Sequence, residues 1–165
     1  MTTRWAKLLL LAAIAAYYTL VVVGNLTDFN SNYEFVRHIL LMDSTFPGNH
    51  GMVRAIHSPA LHLVFYWTII LWEIASTALT WWGALNLFRA LPQPAQVFNK
   101  KKRIAIIALT ISMLMWLVAF LEVGGEWFMM WQSKIWNGQE EAFRMLVLIG
   151  LVLLLLLQPD TDPQP

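Results

Sequence analysis

The charge-free run IAIIALTISMLMWLVAFL, Ile104 to Leu121, restricts what this chain can fold into more than any other stretch. As a helix rising 1.5 Å per residue it covers about 27 Å, close to the roughly 30 Å hydrocarbon core of a bilayer. Burying such a segment in a water-soluble fold needs polar surface around it. The chain has little: its 165 residues are 58% hydrophobic and only 13% charged. One membrane domain is the expected outcome. A net charge of +1 gives no bias towards nucleic acid, so no nucleic-acid partner is expected. The absence of cysteine excludes disulfides, thiolate metal sites, c-type haem attachment and lipidated cysteine.

Around that run the sequence predicts an all-α integral membrane four-helix bundle, with spans at about 5–25, 59–88, 104–131 and 139–158. The first reads as a retained anchor rather than a secretory signal. Its apolar run, Leu8 to Val23, exceeds a signal core and ends in Tyr17-Tyr18-Thr19-Leu20 where a small-residue cleavage site would stand. Gly24-Asn25 and Thr27-Asp28 supply a break. Ser31 and Glu34 then have capping-box spacing, opening a short interfacial helix at about 32–42. Its Phe35, Val36, Ile39, Leu40 and Met42 share one side while Glu34, Arg37 and His38 take the other. Ser58-Pro59 announces the second span, and Leu91-Pro92-Gln93-Pro94 stops it.

Seven of the eleven Lys and Arg residues (Arg4, Lys7, Arg89 and the run 100–103) fall beside span ends on one side, which the positive-inside bias makes cytoplasmic. Both termini are then inside. Asn137 and Glu140 have helix-start spacing before the fourth span. The tail 159–165, acidic and proline-rich, is expected to be disordered. No internal repeat supports an inverted-repeat transporter.

Several residues stand out chemically. Glu73 lies near the middle of the second span, where a carboxylate is costly unless paired or hydrogen-bonded. Glu122, Gly124, Gly125, Glu126, Trp127 and Trp131 crowd the outer end of the third span. Paired glycines inside a helix usually mark close backbone approach or local unwinding. Depth matching predicts an ion pair between Glu126 and Arg144 across the short third connection, with Glu122 and Glu73 as a second carboxylate pair. The tryptophans read as interfacial belts, or as the wall of a quinone or lipid pocket. His57 and His62 with Glu122 or Glu126 would make a mixed metal site, but no zinc spacing is present, and no cofactor is expected. No phosphate loop, nucleophile elbow or His-Glu-x-x-His motif occurs.

The segments GNLTDFNSN, FVRHILLMDSTFPGN and GGEWFMMWQSKIWNGQEEAFR resemble, over essentially the whole chain, a bacterial family of predicted small integral membrane proteins of unknown function. The resemblance implies a four-span inner-membrane protein and carries no activity or cofactor with it. Expected partners are the lipid bilayer itself and a membrane protein or second copy of the chain. Three roles fit: a non-enzymatic partner- or lipid-binding component, a redox or quinone-associated subunit, and a small proton-coupled transporter.

Overall fold

The computed structural model describes residues 1–162, which contain helices and no strand. Four long helical units pack together: α1 (Thr2–Thr27), α3 (Pro59–Ala90), α5 (Arg103–Leu114) with its π-helical continuation (Met115–Trp127), and α6 (Gln139–Leu157). Two shorter helices join them, α2 (Phe29–Leu41) and α4 (Ala95–Lys101). Helix α1 packs on α3, α3 on α5, and α6 against α5, the π segment and α1. Helices α1, α3 and the stretch Ala95–Trp127 are each long and apolar enough to cross a membrane. The 19-residue α6 is equally apolar after an opening turn that carries Glu140, Glu141 and Arg144.

Position rather than polarity separates the faces of these helices. In α6, Met145, Ile149, Val152 and Leu156 are buried while Leu148, Leu151, Leu154 and Leu157 are exposed. Every one is apolar, so the outward row is suited to lipid. Small residues set the closest approach: a Cβ built on Gly83 would lie 2.8 Å from the Cα of Ala105. Without a hydrophobic drive between helices in lipid, such contact is a main source of cohesion.

Three side-chain bonds fix α1 antiparallel along α3. Asn25 meets Glu73, Trp81 Nε1 donates to Thr19 Oγ1 at 3.0 Å, and Arg4 donates to the Leu91 carbonyl at 3.1 Å. Helix α3 therefore outruns α1 by about three turns at its N-terminal end, where α2 lies against it.

At the opposite end the chain termini meet. Lys7 Nζ donates to Asp160 Oδ2 at 2.7 Å and to the Gln158 carbonyl at 2.7 Å. Lys102 pairs with the same carboxylate, and Arg4 reaches Asp162 at 3.0 Å. Lys7, Lys102 and Asp160 are almost wholly enclosed, which is tolerable only because the charges are matched and hydrogen-bonded.

Local structure departs from the expected pattern in four places. Residues 159–162 of the tail are not loose but strapped to this ionic cluster, because each aspartate finds a buried cation; residues 163–165 lie outside the described residues. Gly24-Asn25 does not break α1, which continues to Thr27. Ser31 sits inside α2 rather than capping it: the N-cap is Asp28, and Glu34 pairs with Arg37 at 2.6 Å. The third long helix ends at Trp127, short of 131, where Met129 takes a left-handed conformation (φ 53°).

Gly83→Ala is expected to overpack the α3–α5 contact and cost about 1–3 kcal/mol. Gly24→Ala, which meets nothing within 4 Å, should be neutral or slightly stabilising; thermal unfolding in detergent compares the two. Burial alone would push the Asp160 carboxyl up, but hydrogen bonds from Lys102 and Lys7 outweigh it and hold the group below the ordinary carboxylate range. Its contribution to stability is complete above about pH 4, the unfolded aspartate value, and fades as pH falls through the lowered one. Asp160→Asn should cost of order 3–5 kcal/mol at neutral pH and flatten that acid limb, both readable from melting curves taken across pH.

Candidate ligand cleft

The buried stripe of α3 runs Tyr66, Ile70, Glu73, Ser76, Thr80, Gly83, Leu87, the three- and four-residue spacing of one helix face. Glu73 therefore points into the bundle by its place in the sequence. Its side chain is enclosed, with the residue only 2% exposed, and Asn25 Nδ2 donates to Oε2 at 2.6 Å. Oε1 takes no hydrogen bond among the described residues. Tyr66 Oη donates to the Asn25 carbonyl at 3.0 Å, serving one of the end-of-helix carbonyls that α1 cannot satisfy itself. The chain Tyr66–Asn25–Glu73 thus locks the end of α1 to α3.

Glu73 lines a cleft of about 440 Å³ between α1, α2, α3, the π segment and the start of α6. Tyr17, Asn25, Asn32, Tyr66, Asn137 and Glu141 supply the rest of its polar wall, and no Lys, Arg or His lines it. A second cavity of about 210 Å³ lies alongside, between α2, α3 and the π segment. Thr68 is its one polar side chain; Ile39, Leu40, Phe65, Trp72, Ala119, Val123 and Met130 are among the others. Phe35, Val36, Ile69 and Phe120 form part of both walls. On the far side of Glu73 the bundle is filled: Leu11, Tyr18, Leu87, Phe98 and Leu109 are fully enclosed, and the ionic cluster closes the end.

The π segment shapes both cavities. Its i→i+5 bonding, visible in the Phe128 N–H to Val123 carbonyl bond of 2.9 Å, widens the turn and changes which residues share a face. Trp116 and Phe120 turn inward to the cleft, with ring centroids 4.7 Å apart, and Trp116 Nε1 donates to Tyr18 Oη at 2.8 Å. Trp72 Nε1 reaches the Ile111 carbonyl at 3.1 Å where α passes into π.

Of the residues singled out from sequence, Glu73 lies on the wall of the polar cleft and Gly124 on that of the apolar cavity. Gly125 serves packing: a Cβ there would stand 2.5 Å from Gln139 Nε2. Glu122 and Glu126 are exposed, whereas Gly124 and Gly125 between them are buried, Gly124 against Met130 and Gly125 against Gln139 of α6. The Glu126–Arg144 ion pair does not form: Arg144 reaches Glu140 within its own helix at 3.4 Å. Glu122 is likewise not brought to Glu73. Trp127 is exposed beneath the Arg54 guanidinium, 4.8 Å from its ring centroid, and Trp131 packs edge-on against Phe46. His57 is exposed, whereas His62 is buried with Nε2 2.7 Å from the Ile56 carbonyl, so the two do not face a common ion. No group of three potential ligands is gathered among the described residues.

Sequence reasoning passed over Asn25, Tyr66, Asn32, Asn137 and Glu141. Asn25 was hidden in an expected helix break, although an amide at the end of one span and a carboxylate inside the next is a pairing signal. The others meet only through the tertiary fold.

Together the fold and cleft define a helical integral membrane protein whose interior polar site opens towards one end of the bundle. A family model described as predicted small integral membrane protein (DUF2165) matches residues 3–159, and the chain belongs to that family. No curated protein and no solved structure matches it.

Asn25→Leu should cost about 1–3 kcal/mol by stranding Glu73, and adding Glu73→Leu should recover much of that loss. Simple additivity in a thermal-unfolding double-mutant cycle would deny the coupling.

Proposed function

We propose that the protein is a non-enzymatic membrane component that binds an amphiphile, its chain in the apolar cavity and its polar end in the Glu73 cleft. The observation that carries this reading is the shared wall of Phe35, Val36, Ile69 and Phe120: a polar and an apolar compartment stand side by side. A ligand spanning both would bury its chain away from competing lipid while its head meets fixed polar groups. The packed half beyond Glu73 favours binding over passage through the bundle.

Ala119→Phe projects a ring into the apolar cavity. It is expected to reduce retained amphiphile several-fold, measured by native mass spectrometry and lipid extraction, with helical content unchanged. Equal retention by variant and parent would refute the reading.

The same reading places four crossings in a bacterial inner membrane, with both termini in the cytoplasm. The meeting of Arg4 with Asp162 and of Lys7 with Asp160 supports an even number of crossings. Since the chain has no cysteine, single cysteines report sidedness without background. In intact cells a membrane-impermeant maleimide should label cysteine at Asn49 or Ile135 and spare cysteine at Thr2 or Asn99; the reverse pattern would invert the topology.

A further inference from the structure

We infer that the polar end of the ligand held in the Glu73 cleft is a protonated amine. The inference rests on the amphiphile reading above and adds the chemical class of the head. Glu73 and Glu141 are the charged side chains on the cleft wall. The arginines of the flanking helices α6 and α2, Arg144 and Arg37, are absent from that wall and pair at the surface with Glu140 and Glu34. A phosphate or carboxylate head would therefore enter a site with two carboxylates and no counter-charge. A hydroxyl head would give Glu73 Oε1 a single neutral hydrogen bond, weaker than a charge-assisted one.

An ammonium answers both points. Its N–H groups can donate to Glu73 Oε1, which no protein donor takes, and to the amide oxygen of Asn32. The rings of Tyr17, Tyr66 and Trp116 surround the same space and favour a cation over a neutral group. Glu73 is tied on one oxygen only, so it is positioned without being saturated. The ammonium could belong to a membrane aminolipid or to a small soluble amine.

Purified full-length protein in maltoside micelles is titrated with dodecylammonium, dodecanol and ethylammonium, reading equilibrium binding. Dodecylammonium should bind at least about tenfold more tightly than dodecanol, the scale of a charge-assisted hydrogen bond, and ethylammonium weakly or not at all. Glu73→Gln should bring the two long-chain probes to within about threefold, with Glu141→Gln, exposed on its helix, a second variant should the first fail to fold. Equal binding of dodecylammonium and dodecanol to the parent protein would overturn the amine head and leave the amphiphile reading standing. Ethylammonium binding as tightly as dodecylammonium would uphold the amine, assign it to a soluble source and remove the role of the apolar cavity. Binding of none of the three would overturn both.

Discussion

The antiparallel clamp of α1 on α3 is the constraint from which the remaining architecture follows. Asn25 on Glu73, Thr19 on Trp81 and Arg4 on the Leu91 carbonyl set one register along the whole contact. That register leaves the first turns of α3 unaccompanied by α1, and α2 folds down to occupy the gap. It also brings the N-terminus level with the α3–α4 turn, where the tail can return. In lipid, where apolar burial gives little preference between helix arrangements, polar bonds and small-residue contacts decide how helices align.

The two ends of the bundle use their polar residues differently. At the end where the termini meet, Lys7, Lys102 and Asp160 satisfy one another and leave the space closed. At the other, Glu73 has one partner and opens onto a cleft walled by amides, phenols and a second carboxylate. Of the hydroxyls between them, Thr80 bonds to the Ser76 carbonyl and Ser112 to the Ala108 carbonyl, whereas the buried Ser76 Oγ has no partner among the described residues. A saturated cluster holds the fold together; an unsaturated one keeps capacity for a ligand. The π segment contributes to the second by turning Trp116 and Phe120 inward over a widened turn.

Much of this was legible in the sequence, because length, hydropathy and charge act locally. The apolar runs, the helix beginning at Pro59, a short helix near 32–42, found at Phe29–Leu41, and a carboxylate inside the second long helix all follow from residue type and spacing. What escaped depended on contacts between distant segments. The tail looked disordered by composition, yet its aspartates meet cations from α1 and the α4–α5 junction. Glu126 and Arg144 matched in depth, but depth says nothing about rotation about the helix axis, and the π turn rotated the carboxylates outward. Gly124-Gly125 implied close backbone approach or local unwinding; the structure has a close approach of Gly125 to Gln139 and a π stretch that already begins at Met115.

The polar interior is open from the α2 side and sealed from the other. Single-cysteine variants at Val21, on the cleft wall, and at Leu109, in the packed half, test it in sealed vesicles of both orientations. A charged, impermeant thiol reagent should modify the Val21 variant only from the side bearing α2 and leave the Leu109 variant untouched from both. Protection of Val21 from both sides, or modification from the side where the termini meet, would show that the cleft does not open on the α2 side.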